Sequence, residues 1–248
     1  MIACARTDRG LVRKINQDSV CASLTQSGPL PNLFLVADGM GGHKAGDFAS
    51  RFLVETTARL IAESKETGPV AALRTSILEA NRLLYEESLK DSALEGMGST
   101  LVAATAFSGA LYAANIGDNR LYLFRNGRLK QITRDHSLVE EMVLLGKMKR
   151  GSESYKSQKN IITRAVGIGP HVEADFFEVP LKMGDLFLLC SDGLSNMVED
   201  DMIGRVLSGA GTIEEKADRL VELANANGGR DNIAVILAQP EEGEVTGC

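Results

Sequence analysis

Residues 99–131 read STLVAATAFSGALYAANIGDNRLYLFRNGRLKQ, and this stretch decides the fold class. It consists of short apolar runs separated by turns that contain glycine, which is the pattern of strands joined by hairpins. The dipeptide Asn126–Gly127 is a strong signal for a two-residue hairpin, because both residue types tolerate positive φ. The stretch therefore predicts consecutive antiparallel strands rather than strands that alternate with crossover helices.

The flanking segments complete this prediction. Two short apolar runs, residues 20–24 and 33–37, precede two amphipathic helices, the second of which begins near Pro69. Towards the C-terminus the pattern predicts helices that open with capping boxes at Ser137/Glu140 and Thr212/Glu215, and strands at 174–179, 185–190 and in the final NIAVILA. This order predicts an α+β fold, in which antiparallel sheets pack together with helices on the outside.

The composition is that of one ordinary globular domain spanning residues 1–248, with 44% hydrophobic and 24% charged residues. A formal charge of −6 argues against a nucleic-acid partner, and the longest apolar runs are too short for a membrane span. The N-terminus shows no apolar core of signal-peptide length. We expect a cytoplasmic protein.

Cysteine and histidine are too few and too scattered to form a zinc site. The sequence contains Cys4, Cys21, Cys190, Cys248, His43, His136 and His171. The cysteines indicate free thiols in a reducing compartment. If a metal binds, its ligands must be carboxylates and water, which favours a hard cation such as Mg²⁺ or Mn²⁺.

Aspartates stand next to the most apolar strands of the sequence. Asp38 ends LFLVAD, Asp192 follows LFLLCS, Asp118 lies in AANIGDNR, and Asp231 precedes NIAVILA. A single aspartate at a strand end is most often a turn or cap residue. Four gathered at one edge would repel one another and be costly to desolvate without a cation. The pattern predicts a divalent metal site, in which two ions that share a carboxylate hold and acidify a water.

The glycine-rich loop GMGGHKAG, residues 39–46, is not a recognised phosphate-binding loop. It lacks the Walker spacing, and Lys44 stands where a dinucleotide fingerprint requires its third glycine. Two interpretations remain open: the glycines permit a tight turn, or they let the Gly39 carbonyl approach a metal held by Asp38. Arg13 is either an ordinary surface arginine or a bidentate clamp on a phosphate.

Seven motifs in order resemble those of the metal-dependent type 2C protein phosphatases in their compact bacterial form. They are TDRGLVRKINQDS, VADGMGGHKAG, GSTLVAA, NIGDNRLYLFRNG, NIITRAVG, LLCSDGLSNM and GGRDNIAVI. The resemblance covers essentially the whole chain. It implies a sandwich of two antiparallel β-sheets flanked by α-helices, in four layers (αββα), as a single catalytic domain with a flap around residues 137–160.

The resemblance also implies a binuclear centre of Mn²⁺ or Mg²⁺. Asp38 would bridge the two ions, the Gly39 carbonyl would add to one, and Asp192 and Asp231 would hold the other. These carboxylates would act on the substrate through a metal-activated water.

Three more residues receive roles by resemblance alone. Arg13 would bind the substrate phosphate, and Asp118 would help to hold a third, weaker metal. Asp18 would support the water shell of the binuclear site.

The sequence departs from the family pattern at three positions. Gln17 stands where an acidic residue is common. Met40 stands where animal members carry a histidine proposed as general acid, and His43 is not a safe substitute for it. Asn196 occupies a position that is aspartate in some members, which bears on the third metal.

The implied function is hydrolysis of phosphoserine and phosphothreonine in proteins, reversing a serine/threonine kinase. The expected partners are that kinase and its substrates, and the expected state is a monomer. Two alternatives stay open: a non-catalytic phosphoprotein-binding or sensing module, and a small-molecule phosphomonoester hydrolase. A nucleotide-binding protein is the weakest option.

Residues 147–160 form a basic segment in an acidic protein. It carries Lys147, Lys149, Arg150, Lys156 and Lys159 against Glu153. The segment is either a solvated face or a mobile flap that touches the phosphoprotein and influences substrate choice.

Overall fold

The computed structural model describes residues 1–41 and 45–245, apart from the side chain of Lys156. The strands are β1 (Ile2–Asp8), β2 (Asp18–Ser23), β3 (Leu33–Met40), β4 (Gly98–Ser99), β5 (Leu101–Phe107), β6 (Ala110–Ile116), β7 (Arg120–Arg125), β8 (Arg128–Gln131), β9 (Asp175–Pro180), β10 (Leu186–Cys190) and β11 (Ile233–Gln239). The helices are α1 (Ala45–Glu63), α2 (Pro69–Ser88), α3 (Leu138–Leu144), α4 (Glu153–Gln158), α5 (Asp192–Ser195), α6 (Asp200–Ser208) and α7 (Ile213–Ala226). Two single-turn 3₁₀ helices lie at Ser92–Leu94 and Glu242–Glu244.

The strands form two sheets in which neighbouring strands run antiparallel. One sheet has the order β1-β11-β10-β7-β8, and the other has the order β2-β3-β5-β6-β9 with β4 paired to β3. The predicted α+β sandwich is confirmed.

Side-chain alternation along β3 shows how the four layers form. Leu33 and Leu35 pack into the cluster beneath α1 and α2, whereas Phe34 and Val36 pack into the cluster between the sheets. Phe34 meets Phe187 of the opposite sheet edge to face, with ring centroids 5.3 Å apart. A third cluster lies beneath α6 and α7 on the other sheet. Both faces of the central strands are covered, so these strands are continuously apolar.

The hairpin predicted at Asn126–Gly127 joins β7 to β8. The two residues have φ of 51° and 75°, as a primed two-residue turn requires. Ser108–Gly109 joins β5 to β6 with a similar pair of angles, 48° and 81°.

One of the two predicted capping boxes is only half formed. Thr212 and Glu215 make both reciprocal hydrogen bonds at the start of α7. At the start of α3 the Ser137 side chain accepts from the Glu140 backbone N–H, but the Glu140 carboxylate instead accepts hydrogen bonds from Arg150 and Tyr155. The box expected at Ser137 is therefore wrong in its second half, because a tertiary contact takes the glutamate.

None of the helices among the described residues is long and apolar enough to cross a membrane. Cys4, Cys21 and Cys190 are free thiols, and Cys248 lies outside the described residues.

Candidate metal centre

Asp38 lies on the inner face of its sheet, at the end of the strand. Alternation along β3 places it on the side of Phe34 and Val36, which face the core between the sheets. Asp18 opens β2 and is the register partner of Asp38, so the two carboxylates lie side by side at one end of the sandwich.

The opposite sheet brings two more aspartates to the same end. Asp192 follows β10 by two residues, and Asp231 precedes β11 by two. Between them the Ser191 hydroxyl donates to Asp18 Oδ2 at 2.6 Å and accepts from the Ala234 N–H at 2.9 Å. Ser191 therefore ties the strand ends of the two sheets together.

Asp118 reaches the site from the turn between β6 and β7. Gly117 has φ of +104°, a conformation that favours glycine, and the Asn119 amide donates to the Val36 carbonyl at 3.0 Å. His136 holds the turn from the other side, because its backbone N–H donates to the Gly117 carbonyl and its Nδ1 accepts from the Gly117 N–H.

These aspartates, apart from the buried Asp18, line a cavity of about 470 Å³. Its described lining is Arg13, Lys14, Ile15, Gln17, Asp38, Gly39, Met40, Gly41, Thr100, Asp118, Asn160, Ile162, Asp192, Asp231 and Asn232. A larger cavity of about 1110 Å³ lies between the segment 140–159, residues 131–135, residues 174–177 and the start of α6. The smaller cavity is the candidate site of the chemistry, because the strand-end carboxylates converge there.

The crowded carboxylates hold protons more tightly than isolated ones. Burial raises the pKa of Asp18 to about 8, and the charges of Asp192 and Asp231 add to this effect. Burial and Asp192 raise the pKa of Asp118 to about 8. Burial and the neighbouring Asp231 raise the pKa of Asp192 to about 6, and burial beside Asp18 raises the pKa of Asp38 well above its usual range. Each shift reflects, first of all, the cost of burying an ionised carboxylate, and then the repulsion from its acidic neighbours.

The donor set fits hard divalent cations. Asp18 Oδ1 is buried and has no hydrogen-bond donor among the described residues. The described part of the chain contains no preformed cluster of three or more metal-ligating side chains. The carboxylates therefore line the cavity without three of them meeting around one ion position. Mg²⁺ and similar ions retain several waters and need only one or two carboxylates each, so an open, oxygen-lined cavity suits them.

Side-chain donors contact two of the carboxylates that line the cavity. The Arg13 guanidinium donates to Asp231 Oδ2 at 2.7 Å, and the Asn196 amide donates to Asp192 Oδ2 at 2.8 Å. The Asp231 contact holds the pKa of Arg13 above its ordinary value. Arg13 is half exposed at the rim, with 49% of its side chain accessible. The residue predicted to bind phosphate thus lies directly beside predicted metal ligands.

The glycines of the loop after β3 serve close packing and a special turn. A Cβ on Gly39 would lie 1.9 Å from the Gly46 carbonyl oxygen, and Gly41 has φ of +127°. The close approach in the described residues is therefore between the end of β3 and the first turn of α1. Residues 42–44, including His43, lie outside the described residues.

The structure shows where the three residues that depart from the family pattern lie. Gln17 lines the cavity, and its backbone N–H donates to the Asn232 side chain at 2.8 Å. Met40 lines the cavity as well. An apolar side chain therefore occupies the position at which animal members of the family carry a histidine proposed as general acid. Asn196 acts as a hydrogen-bond donor to Asp192.

Two supporting residues were missed in the sequence. The Asn232 amide donates to the carbonyls of Arg9 and Ile15, so it fastens both ends of the loop that carries Arg13. The Thr100 hydroxyl accepts from the Asp38 N–H at 3.0 Å. Asn232 stands next to Asp231 and Thr100 lies in the motif GSTLVAA, but a single sequence does not show which strand each one supports.

Comparison with known proteins places the chain among phosphatases. The family model described as protein phosphatase 2C matches residues 12–238. The serine/threonine phosphatase stp of Listeria monocytogenes serovar 1/2a is 43% identical over 244 residues, which cover 94% of this chain and 94% of that protein.

Solved structures show the same relationship in three dimensions. The crystal structure of the Mycobacterium tuberculosis serine/threonine phosphatase PstP/Ppp superposes with a TM-score of 0.87 at 37% identity, over 97% of this chain and 99% of that chain. The catalytic domain of serine/threonine protein phosphatase PstP in complex with two manganese ions gives a TM-score of 0.84 at 37% identity, over 96% and 97% of the two chains. The similarity extends over nearly the whole chain, as the seven motifs predicted.

Proposed function

The chain belongs to the protein phosphatase 2C family, and we propose that the carboxylate-lined cavity is where it hydrolyses phosphoserine and phosphothreonine in proteins. It is a metal-dependent serine/threonine phosphatase, and its cofactors are two Mn²⁺ or Mg²⁺ ions. The observation that carries the assignment of the site is the convergence of Asp18, Asp38, Asp118, Asp192 and Asp231 at one end of the sandwich.

Each strand-end carboxylate has a distinct part in holding the ions. Asp38, between the two sheets, would help to hold both ions, Asp192 and Asp231 would hold one of them, and the Gly39 carbonyl would add to the other. From the β6–β7 turn, Asp118 would help to hold a third, weaker ion. When bound, the ions supply positive charge to the phosphoryl oxygens and lower the pKa of the water that attacks phosphorus.

Asp18 supports this arrangement from a buried position beside the cavity. It is buried beside Asp38, and its Oδ2 is fixed by the Ser191 hydroxyl. Its Oδ1 has no hydrogen-bond donor among the described residues and would accept one from a water of the site. Asp18 therefore orients water rather than contacting the substrate.

Arg13 binds the phosphate at the rim of the cavity. Its guanidinium pairs with Asp231 in the structure, and the half-exposed side chain leaves donors free to face the entrance. A planar guanidinium matches two phosphoryl oxygens at once. Arg13 thereby orients the phosphorus over the carboxylate cavity.

The leaving oxygen takes its proton from water. Among the described residues that line the cavity there is no histidine, and Met40 has no proton to donate. No phosphoenzyme is expected, since burial raises the pKa of the Cys190 thiol to about 12 and leaves it inert.

Phosphopeptide hydrolysis tests the proposed function. The protein, stripped of metal with a chelator, is assayed on a phosphoserine peptide, a phosphothreonine peptide and a set of phosphorylated metabolites, with and without Mn²⁺ or Mg²⁺. We expect turnover of the peptides only with metal, and much slower turnover of the metabolites. Binding of phosphopeptide without turnover would favour the sensing module, and faster turnover of metabolites would favour the small-molecule hydrolase.

The segment 137–160 is proposed as a flap that influences substrate choice. Its base is closed by the bridge between Ser137 and Ile162, and its end supplies Asn160 to the cavity lining. Arg150 pairs with Glu140, and 64% of its side chain is exposed. Replacing Lys147 and Lys149 by serine should slow turnover of a phosphoprotein more than that of a small aryl phosphate. Equal effects would assign both lysines to the solvated face.

The partners proposed for the enzyme are a serine/threonine kinase and the proteins that this kinase phosphorylates. A cytoplasmic location and a monomeric state complete the proposal. The free thiols of Cys4, Cys21 and Cys190 are in keeping with a reducing compartment.

A further inference from the structure

A third cavity, of about 480 Å³, adjoins the cavity of the metal centre. We call it the side groove. Its lining includes Met40 and Ile162, which also line the metal-centre cavity, together with Arg164, Ile168 and Val172. The two cavities are therefore neighbours that share Met40 and Ile162 as lining residues.

The side groove presents apolar side chains to its entrance. Ile168 is 51% exposed. Val172 packs against the core beneath α1 and α2. Arg164 is engaged by Asp175, with its guanidinium donating at 3.1 Å. The groove thus offers a hydrophobic surface that a ligand would remove from water.

Met40 and Ile168 lie side by side across a single glycine. Gly98 is the register partner of Met40, and a Cβ on Gly98 would lie 2.7 Å from Ile168 Cδ1. The Ile168 side chain therefore covers Gly98 next to the end of β3. This contact makes the apolar surface continuous from the metal centre to the groove.

The spacing between Asp38 and Met40 matches the length of one to two residues of an extended peptide substrate. Met40 follows Asp38 by two residues in an extended strand, so its Cα lies roughly 7 Å from that of Asp38. An extended substrate advances about 3.5 Å per residue. A residue one or two positions from the phosphorylated one therefore reaches Met40 and, beyond it, Ile168.

We propose that the side groove binds an apolar side chain of the substrate protein, one or two residues from the phosphoserine or phosphothreonine. The inference rests on the proposed function and deepens it, because it names a feature that substrates share. It also gives Met40 a role in substrate selection rather than in proton transfer. The occupant is the substrate itself, because the groove adjoins the cavity that takes the phosphate and shares Met40 and Ile162 with it.

The test uses a phosphothreonine peptide with alanine at every flanking position, and four versions that carry leucine at −2, −1, +1 or +2. The kcat/KM of each is measured for the wild type and for Ile168→Ser, with an aryl phosphate as the substrate that has no neighbours. Ile161→Ser is the matched control, because Ile161 is 49% exposed and does not line the groove.

We expect the wild type to prefer leucine over alanine about 10-fold at one of these positions, as for a few methylenes in an apolar pocket that is open on one side. Ile168→Ser should reduce this preference to within about 2-fold while leaving aryl phosphate turnover unchanged. Ile161→Ser should retain the preference. Ile168→Glu should transfer the preference at that position from leucine to lysine, a gain that misfolding cannot mimic.

Three outcomes would overturn the inference. The wild type could hydrolyse all five peptides at equal rates, or the leucine preference could survive in both Ile168 variants. Ile168→Ser could also slow the aryl phosphate as much as the peptides, which would assign Ile168 to the structure of the metal centre. In each of these cases the phosphopeptides are still hydrolysed and the proposed function stands. A wild type that cleaves no phosphopeptide at all would contradict both.

Discussion

At the scale of single residues, Asp231 shows how close a proposed metal ligand lies to the arginine proposed to bind phosphate. Its Oδ2 accepts from the Arg13 guanidinium at 2.7 Å, and its Oδ1 accepts from the Asn232 N–H at 2.9 Å. Asn232 in turn fastens the loop that carries Arg13. A short segment of chain thus carries a proposed metal ligand and also positions the residue proposed to bind phosphate.

Replacing Arg13 by lysine should lower kcat/KM for a phosphopeptide about 10- to 100-fold, mainly by raising KM. A lysine keeps the charge but loses the planar pair of donors, and a charged hydrogen bond contributes about 1.5–3 kcal/mol. Steady-state kinetics at saturating Mn²⁺ check this, with Arg128→Lys in the distant β7–β8 hairpin as the control. A KM unchanged in Arg13→Lys would show that the guanidinium does not bind the phosphate.

At the scale of elements, Glu140 joins the two short helices of the proposed flap. The residue is 4% exposed, and its carboxylate accepts from Arg150 Nε at 3.0 Å and from the Tyr155 hydroxyl at 2.6 Å. The spacing of Ser137 and Glu140 predicted a local capping box, but partners 10 and 15 residues further along compete for the same carboxylate. Such competition depends on tertiary packing and is not visible in local spacing.

Glu140→Gln should lower the free energy of unfolding at pH 7 by about 1–3 kcal/mol, because a buried charge-assisted network loses its anion. Burial opposes ionisation of Glu140, yet the Arg150 and Tyr155 hydrogen bonds outweigh it and the pKa is lowered. A carboxyl with a lowered folded-state pKa stabilises the fold above its unfolded pKa, and this stabilisation is lost as the pH falls through the folded value.

Denaturant unfolding of wild type and variant from pH 7 to pH 3 measures this effect. The difference between them should shrink below about pH 4, close to the ordinary pKa of glutamate. Glu141→Gln, on the exposed side of the same helix, should show little difference at any pH. A pH-independent difference for Glu140→Gln would mean that the ionised carboxylate is not the stabilising form.

At the scale of the whole molecule, local features such as turns and strand ends could be predicted from the sequence, whereas contacts between distant segments could not. Asn126–Gly127 marked its hairpin, and each aspartate stood at a strand end, so the existence of strands and of a carboxylate site was predictable. The place of β1 beside β11, and the role of Ser191 between the sheets, depend on contacts between residues more than 150 positions apart. No periodicity or motif in one sequence encodes those pairings.

Metal should stabilise the whole fold more strongly as the pH rises. The folded-state pKa is about 8 for Asp18 and Asp118 and about 6 for Asp192. Raised acid pKa values mean that the metal-free folded chain binds more protons than the unfolded one between about pH 4 and 8, so its stability falls with rising pH in that window.

Thermal unfolding at pH 5.5 and pH 8, with chelator or with Mn²⁺, tests this prediction. The chelated protein should have the lower Tm at pH 8, and the gain in Tm on adding Mn²⁺ should be larger there. At 100 times Kd the expected stabilisation is about 2.7 kcal/mol, or roughly 5–10 °C for a chain of this size. A chelated protein whose Tm rises from pH 5.5 to pH 8 would contradict the coupling between these carboxylates.

The central claim is that Asp38 is the shared ligand of the metal centre. Calorimetric titration of Mn²⁺ into the wild type and Asp38→Asn, combined with phosphopeptide turnover, tests it most directly. Asp8→Asn is the control, since Asp8 also ends a strand but does not line the cavity. We predict two ions for the wild type and for the control, and for folded Asp38→Asn no tight binding and a loss of turnover of about 10³-fold or more. Two tightly bound ions and wild-type turnover in Asp38→Asn would contradict the account.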